Sequence, residues 1–293
     1  MILINAVRGL CMALADSVPG VSGGTVAFLL GFYDRFITAL DDFFRGKRQE
    51  RIAAFKFLIQ LGVGWLAGMS LAVIVLTKVF ETHIYAISSL FIGFILFAIP
   101  LVMHEEKETI RGKWKWLVYL VLGIVFVILV SSFHPATGIG TGQNPAALAY
   151  VFLGGIVGIS AMVLPGISGS TLLLVMGLYL PVITAVRTLL GLDFSALPVL
   201  TAFVLGVLSG AVLVIRMLRF LMTRYRAQMV FLIVGLMLGS IYSVILGPTT
   251  LDAPKEAMTF ATFQPLFFVL GGAVILGLQA MKVWLTRKGI EKD

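Results

Sequence analysis

PGVSGGT at residues 19–25 returns almost unchanged as PGISGST at residues 165–171. The second copy begins 146 residues after the first, which is about half of the 293-residue chain. The same offset aligns further identical residues, namely Gly9 with Gly155, Gly31 with Gly177, Tyr33 with Tyr179 and Ile37 with Ile183. The chain is therefore an internal duplication, and the repeated unit is longer than the heptapeptide.

The composition predicts an all-α polytopic membrane protein. Hydrophobic residues make up 59% of the chain and charged residues 12%, and the mean hydropathy is +1.05. Such a chain has too little polar sequence to cover a globule of this size. Six apolar stretches approach or exceed the roughly 20 residues that span a bilayer as a helix. They are residues 57–80, 86–103, 114–133, 197–215, 228–246 and 265–285.

Lysine and arginine are concentrated in alternate connections. Six lie in residues 34–56, four in residues 104–115 and four in residues 216–226, whereas residues 81–85 and 134–146 contain none. Connections rich in lysine and arginine are retained on the cytoplasmic side. We therefore expect a multi-pass membrane protein with both termini in the cytoplasm.

The sides assigned to these connections are consistent only if residues 2–33 and residues 147–187 each leave the membrane on the side from which they entered it. Each is predicted to be a broken-helix or re-entrant hairpin, the first entering from the cytoplasm and the second from outside. Three spans separate the hairpins, so residues 1–146 and 147–293 are predicted to be inverted-topology repeats, each a hairpin followed by three transmembrane helices. Whether the hairpins cross fully or stop midway stays open.

Proline and glycine break the helix at each hairpin tip. Pro19 and Gly20, like Pro165 and Gly166, should end the descending helix. A second helix should begin near residues 22–24, and near 168–170 in the other half. Its first N–H groups have no partner within the helix, so two such ends converging from opposite sides suit an anion. The alternative is that these small residues serve only tight helix packing.

Two charged residues lie in the apolar sequence of the first hairpin. Arg8 either extends to the cytoplasmic surface or supplies positive charge along the entry path. Asp16 has Met162 as its repeat partner, so only one tip contains an acid. It either caps the turn or binds a cation, carries a proton or pairs with an arginine, and it is our candidate for ion coupling. Asp34 and Arg35 are expected to form a simple ion pair with each other.

The residues around the two motifs resemble one family. They are Arg8-Gly9, Ala15-Asp16, PGVSGGT and Gly31-Phe32-Tyr33-Asp34-Arg35 in the first half, and LPGISGST with Gly177-Leu178-Tyr179 in the second. They are similar to the bacterial domain-of-unknown-function 368 family, which includes PopT-type undecaprenyl phosphate translocases. The resemblance spans essentially the whole chain.

The resemblance implies a transporter that returns undecaprenyl phosphate, the lipid carrier of peptidoglycan and other envelope polymers, from the outer to the inner leaflet. It also implies the bacterial plasma membrane as the location and membrane lipid as the surroundings. No cofactor is expected. H⁺ and Na⁺ are candidate coupling ions, because an entering cation would offset the membrane potential that opposes inward movement of an anion. The headgroup site that the resemblance implies comprises Ser22, Gly23, Gly24, Thr25, Ser168, Gly169, Ser170 and Thr171, with Arg8 and Asp16 nearby.

Other functions stay open from the residues alone. A small-anion transporter or channel would use the same helix ends. An enzyme is not expected, because the only histidines, His83, His104 and His134, lie near span ends on opposing sides. The net charge of +8 fits membrane orientation and anionic lipid rather than nucleic acid. Glycines at 62, 64, 68, 206 and 210 could serve a homodimer, or could pack helices within one subunit.

Overall fold

The computed structural model describes residues 2–16, 22–71, 77–132, 144–165, 169, 172–173, 176–190, 192–250 and 255–287. All regular structure within these ranges is helical, as the composition predicted. The α-helices are α1 (Ile2–Asp16), α2 (Gly23–Leu29), α3 (Tyr33–Arg45), α4 (Arg48–Leu71), α5 (Thr77–Glu105), α6 (Lys107–Ile110), α7 (Leu117–Ser132), α8 (Pro145–Val163), α9 (Tyr179–Leu190), α10 (Leu197–Arg224), α11 (Arg226–Leu246) and α12 (Pro265–Arg287).

Within the described ranges, six helical segments are long and apolar enough to cross a membrane. They are Arg48–Leu71, His83–Glu105, Trp114–Ser132, Pro145–Val163, Phe194–Arg224 and Arg226–Thr249. A chain with this many apolar helices of membrane-spanning length is a multi-pass membrane protein.

The helices extend beyond several of the expected spans. α4 begins at Arg48, nine residues before the expected start at residue 57, because a helix need not stop where the apolar sequence stops. Pro145–Val163, which we expected to be one arm of a hairpin, is by itself long enough to span. α12 matches the last expected span.

Glycines set the closest helix contacts, and they do so in two matching helix pairs. The first pair is α1 with α4, and the second is α8 with α10. At each of the four positions, a Cβ would collide with a backbone carbonyl of the partner helix. The contacts are Gly9 with Leu61 and Gly64 with Ala6 in the first pair, and Gly155 with Phe203 and Gly206 with Phe152 in the second.

Two further helix pairs interlock the halves, since each takes one helix from either half. These pairs are α5 with α12 and α7 with α11. Their glycine contacts are Gly93 with Phe268, Gly271 with Leu90, Gly123 with Leu232, and Gly235 with Leu120. The main apolar core also joins the halves, because Ile37, Ile95, Ile233 and Met237 share one buried cluster.

Candidate functional site

A short helix begins within the first motif and is capped by the motif's own serine. α1 ends at Asp16, and α2 begins at Gly23, inside the range in which the motif predicted a new helix. Ser22 is the N-cap: its backbone is extended (φ −129°, ψ 149°), and its Oγ accepts a hydrogen bond from the Thr25 N–H at 3.3 Å. The hydroxyl thereby satisfies one of the N–H groups that a helix start leaves without a partner.

Asp16 lies at the same helix start. Its Oδ1 accepts a hydrogen bond from the Gly23 N–H at 2.6 Å, and its Oδ2 accepts one from the Trp65 indole at 2.8 Å. Gly23 leaves room for this contact, because a Cβ there would come within 2.7 Å of Oδ2 and the carboxylate would have to shift. The carboxylate therefore occupies the position that a helix N-terminus offers to an anion.

The first tip contacts the end of α8 in the other half. The Ser22 hydroxyl donates to the Leu164 carbonyl at 3.0 Å, and the Tyr33 hydroxyl donates to the Val163 carbonyl at 3.2 Å. Gly24 packs on the same strip of backbone, where a Cβ would lie 2.6 Å from the Val163 carbonyl oxygen. The first tip and the residues leading into the second motif are thus in direct contact.

The second tip is described in part. Pro165 is buried in a turn just after α8. Gly169 lies close to α8, since a Cβ on it would come within 2.7 Å of the Gly158 carbonyl oxygen. The remaining predicted site residues lie outside the described ranges, namely Gly166, Ser168, Ser170 and Thr171, together with Pro19 and Gly20 of the first tip.

Arg8 is buried inside the protein rather than extended to the surface. Arg8 is 8% exposed, and its guanidinium carbon lies 4.7 Å from the centroid of the Phe32 ring. Its Nη1 donates to Asn5 Oδ1 at 3.4 Å, and Asn5 Nδ2 donates to Gln60 Oε1 at 2.8 Å. Of the two roles considered for Arg8, this placement favours a positive charge held within the protein.

Ion pairs join the two halves at one end of the helix bundle. Arg226 donates to Asp34 at 2.8 Å and to Glu106 at 2.5 Å. The expected pair between Asp34 and Arg35 is wrong, and Arg35 lies instead over the Phe57 ring, 4.7 Å from its centroid. Successive residues of a helix point about 100° apart, so adjacent charges do not face each other.

A second arginine makes a similar link. Arg219 pairs with Asp41 at 2.5 Å and with Asp42 at 2.9 Å. Three connections that are rich in lysine and arginine, at residues 34–56, 104–115 and 216–226, therefore lie at the same end of the bundle.

A small cleft lies beside these ion pairs, near the end of α2. Its volume is about 90 Å³, and its walls include Phe28, Asp34, Glu105, Glu106 and Arg226. Burial raises the pKa of Glu106, but the hydrogen bonds and charge of Arg226 outweigh it, so that the pKa lies below its ordinary value. The cleft walls are net acidic, which does not suit a phosphate group.

The sequence interpretation missed four polar residues of this region. Asn5 and Trp65 gave no sequence signal, and Gln60 was expected, with Lys56, to line an inner vestibule rather than to contact Asn5. Tyr33 did give a signal, because it recurs as Tyr179 at the repeat offset. Among the described residues, no group of three His, Cys, Asp or Glu side chains could hold a metal ion.

Comparison with known proteins finds one family and two characterised relatives. Residues 12–261 match the VCA0040-like family, which is described as undecaprenyl phosphate translocase-like. A polyprenyl-phosphate transporter of Vibrio cholerae is 33% identical over 249 residues, which cover 82% of this chain and 76% of that protein. A polyprenyl-phosphate transporter of Staphylococcus aureus is 30% identical over 279 residues, which cover 94% and 95%. No solved structure gives a significant match.

Proposed function

The chain belongs to the VCA0040-like family of undecaprenyl phosphate translocase-like proteins, and we propose that it carries a polyprenyl phosphate from the outer to the inner leaflet of a bacterial membrane. The names of the two relatives support the substrate class, since both are polyprenyl-phosphate transporters. Undecaprenyl phosphate and the inward direction are our specific choices within this class.

The headgroup site lies between the two motif tips. The observation that carries this proposal is the contact of Ser22 and Gly24 with the end of α8, which brings the first tip to the place where Pro165 breaks the other half. Broken backbone within a membrane is tolerated only where it is buried in protein or lines a cavity. A phosphate between the tips would accept hydrogen bonds from the Ser22 hydroxyl and the Gly23 N–H, with the second motif supplying the opposite side.

Asp16 couples phosphate binding to a cation. Its carboxylate accepts the Gly23 N–H that the phosphate would use, and two negative groups at one helix start repel each other. The phosphate therefore binds when Asp16 is protonated or paired with Na⁺. Such an ion also offsets the membrane potential, which opposes inward movement of an anion by about 2.3 kcal/mol per charge per 100 mV.

The two halves rock about this site as inverted repeats. The directions of the helices support this arrangement. α1 and α4 are parallel, since Ala6 contacts Gly64 and Leu10 contacts Gly68. α8 and α10 are also parallel, since successive turns of the two helices meet in the same order. α4 begins just after α3, whereas α10 ends beside α3 through Arg219. The matching pairs therefore run in opposite directions, as an inverted repeat requires.

In each transport cycle, the contacts between Ser22 and Leu164 and between Tyr33 and Val163 must break to admit the headgroup. The prenyl chain stays in lipid while the phosphate moves between the halves. Both termini face the cytoplasm in this scheme, because the three connections rich in lysine and arginine share one end of the bundle.

The test is leaflet exchange in proteoliposomes that contain the purified chain. Labelled undecaprenyl phosphate is placed in the outer leaflet, and its protection from an added impermeant phosphatase measures transport. The double variant Ser22→Ala with Ser168→Ala should lower both binding and transport, whereas Ser70→Ala on the exposed side of α4 should leave them unchanged. Flux of sulfate and chloride is measured in the same vesicles. Sulfate or chloride flux without lipid exchange would refute the proposal and assign the same helix ends to a small anion.

A further inference from the structure

The two matching helix pairs allow the halves to be compared position by position. Gly9 corresponds to Gly155, an offset of 146, and both pack on a carbonyl of the partner helix. Gly64 corresponds to Gly206, an offset of 142, and both again pack on a carbonyl of the first helix. Along the sequence, the second helix of the pair therefore lies four residues closer to its motif in the second half than in the first. The packing register of the two pairs is the same.

This register shows where the halves differ in chemistry. Five polar or charged residues line the contact between α1 and α4, and we call them the polar seam. They are Asn5, Arg8, Asp16, Gln60 and Trp65. Their counterparts between α8 and α10 are Val151, Gly154, Met162, Ala202 and Val207. Every member of the polar seam is thus replaced by an apolar residue or glycine.

The surroundings of Arg8 confirm that the register is structural and not only numerical. Arg8 lies over Phe32, and its counterpart Gly154 is filled by the side chain of Leu178, which is the counterpart of Phe32 at the same offset of 146. Asn5 is 2% exposed and Val151 is also 2% exposed. The same buried position is therefore polar in one half and apolar in the other.

Helix packing does not require the polar seam. Polar groups buried in an apolar contact lower stability unless they are hydrogen-bonded, and α8 and α10 make the same glycine contacts without them. Interhelical hydrogen bonds do stabilise membrane proteins, but they do so modestly. Five such residues on one seam, absent from its structural duplicate, point to a role in transport.

We propose that the polar seam holds the charged groups of transport, with Asn5 and Gln60 positioning Arg8 and Trp65 positioning Asp16. Gln60 accepts from Asn5 Nδ2 at 2.8 Å, which turns Asn5 Oδ1 toward the Arg8 guanidinium. Trp65 holds one carboxylate oxygen of Asp16 while Gly23 holds the other. The proposal rests on the proposed function, because it takes the anionic lipid headgroup as the group that Arg8 attracts.

The duplicate pair supplies the variants for a test. Asn5→Val and Gln60→Ala introduce the residues that occupy the same places between α8 and α10, and Leu66→Ala on the exposed side of α4 is the control. We expect each exchange to raise the half-saturating concentration of undecaprenyl phosphate about tenfold, because Asn5→Val removes a hydrogen bond to the charged Arg8 and Gln60→Ala removes the bond that orients Asn5 toward it. The maximal rate should change little. A single exchange should lower the thermal stability in detergent, since it leaves a polar group without its partner, and the double exchange should restore most of it.

A double-mutant cycle separates positioning from a purely structural role. If Asn5 acts through Arg8, Asn5→Val should have no further effect in an Arg8→Ala background. Trp65→Val should likewise add nothing to Asp16→Asn. Effects that multiply in the double variants would overturn the proposal, as would exchange variants that transport like wild type.

The double exchange Asn5→Val with Gln60→Ala covers the case in which a single exchange unfolds the protein. It removes both partners of one hydrogen bond and reproduces the apolar pair of the second half, so its failure to fold would assign the polar seam to structure and refute the proposal. Failure of the proposed function gives a different result, namely a wild type that moves sulfate but no polyprenyl phosphate. The same variants then test the polar seam with sulfate as the probe.

Discussion

Ser22 of the first half donates its hydroxyl proton to the Leu164 carbonyl of the second half at 3.0 Å, while its oxygen accepts the Thr25 N–H. One side chain therefore caps a helix and joins the two halves. The halves cannot separate at this point without exposing a polar group, so the serine links local helix stability to the position of the other motif.

Replacing Ser22 tests this double role. Ser22→Ala should lower the stability of the protein by about 1 kcal/mol, the usual loss for an N-cap. Ser22→Thr should keep most of that stability, because threonine also caps. Thermal unfolding in detergent measures the difference, and equal stability of wild type and Ser22→Ala would show that the cap contributes nothing.

Two glycines of α4 make a matched pair for a packing test. A Cβ at Gly64 would collide with the Ala6 carbonyl, whereas a Cβ at Gly62 meets nothing within 4 Å. Gly64→Ala should therefore destabilise the protein by about 1–3 kcal/mol through overpacking. Gly62→Ala should be neutral or slightly stabilising, because alanine favours a helix. Similar unfolding temperatures for the two variants would contradict the described contact between α1 and α4.

Asp16→Asn tests ion coupling. The amide oxygen can still accept the Gly23 N–H, but the side chain can no longer take up a proton and has no negative charge to pair with Na⁺. Transport of undecaprenyl phosphate should become independent of pH and sodium. Initial rates over a range of pH and sodium concentrations measure this, and a variant that keeps the ion dependence of wild type excludes Asp16 as the coupling group.

Arg226 of the second half pairs with Asp34 and Glu106 of the first half, and we expect these two ion pairs to hold the acidic cleft closed. Arg226→Gln should raise the reactivity of a cysteine placed at Phe28 about fivefold, the ratio that corresponds to roughly 1 kcal/mol for a partly exposed ion pair. The measurement uses an impermeant thiol reagent in a Cys11→Ser background. Arg224→Gln, at an exposed arginine nearby, is the control, and equal reactivity in both variants would exclude a closing role for Arg226.

Glu106 gives the protein an acid-dependent contribution to stability. The pKa of Glu106 is lower in the folded than in the unfolded chain. Its ionised form therefore stabilises the fold at pH values above its ordinary pKa of about 4. This stabilisation is lost as the pH falls through the lower pKa of the folded protein. Glu106→Gln should therefore flatten the loss of unfolding temperature below about pH 4. An unchanged pH profile would show that the Arg226 pair does not stabilise the fold.

The duplication and the helix breaks could be predicted from the sequence because both are local. The spacing of the repeated PGxSGxT gives the offset of the duplication, and proline followed by glycine disfavours a continuing helix. Ser22 was recognised for this reason, and Asp16 was recognised because a charged residue is costly in apolar sequence. The second motif is less informative, since most of its polar residues lie outside the described ranges.

The partners of the charged residues could not be predicted, because they depend on how distant helices are placed. Asp34 is followed directly by Arg35, yet its partner is Arg226, 192 residues away. Asn5 and Gln60 form a hydrogen bond only in the register that Gly9 and Gly64 impose on α1 and α4. Sequence spacing within one helix gives no information on such a register.

The exchange of helices between the halves has a consequence for biosynthesis. The glycine face of α5 at Gly93 packs on Phe268 of α12. Because α12 lies near the other end of the sequence, α5 is synthesised and inserted long before its partner leaves the ribosome. The same holds for α7, whose Gly123 packs on Leu232 of α11. These two helices of the first half must therefore remain in the bilayer with open surfaces until the second half arrives, and membrane lipid or an insertion factor has to cover those surfaces during synthesis.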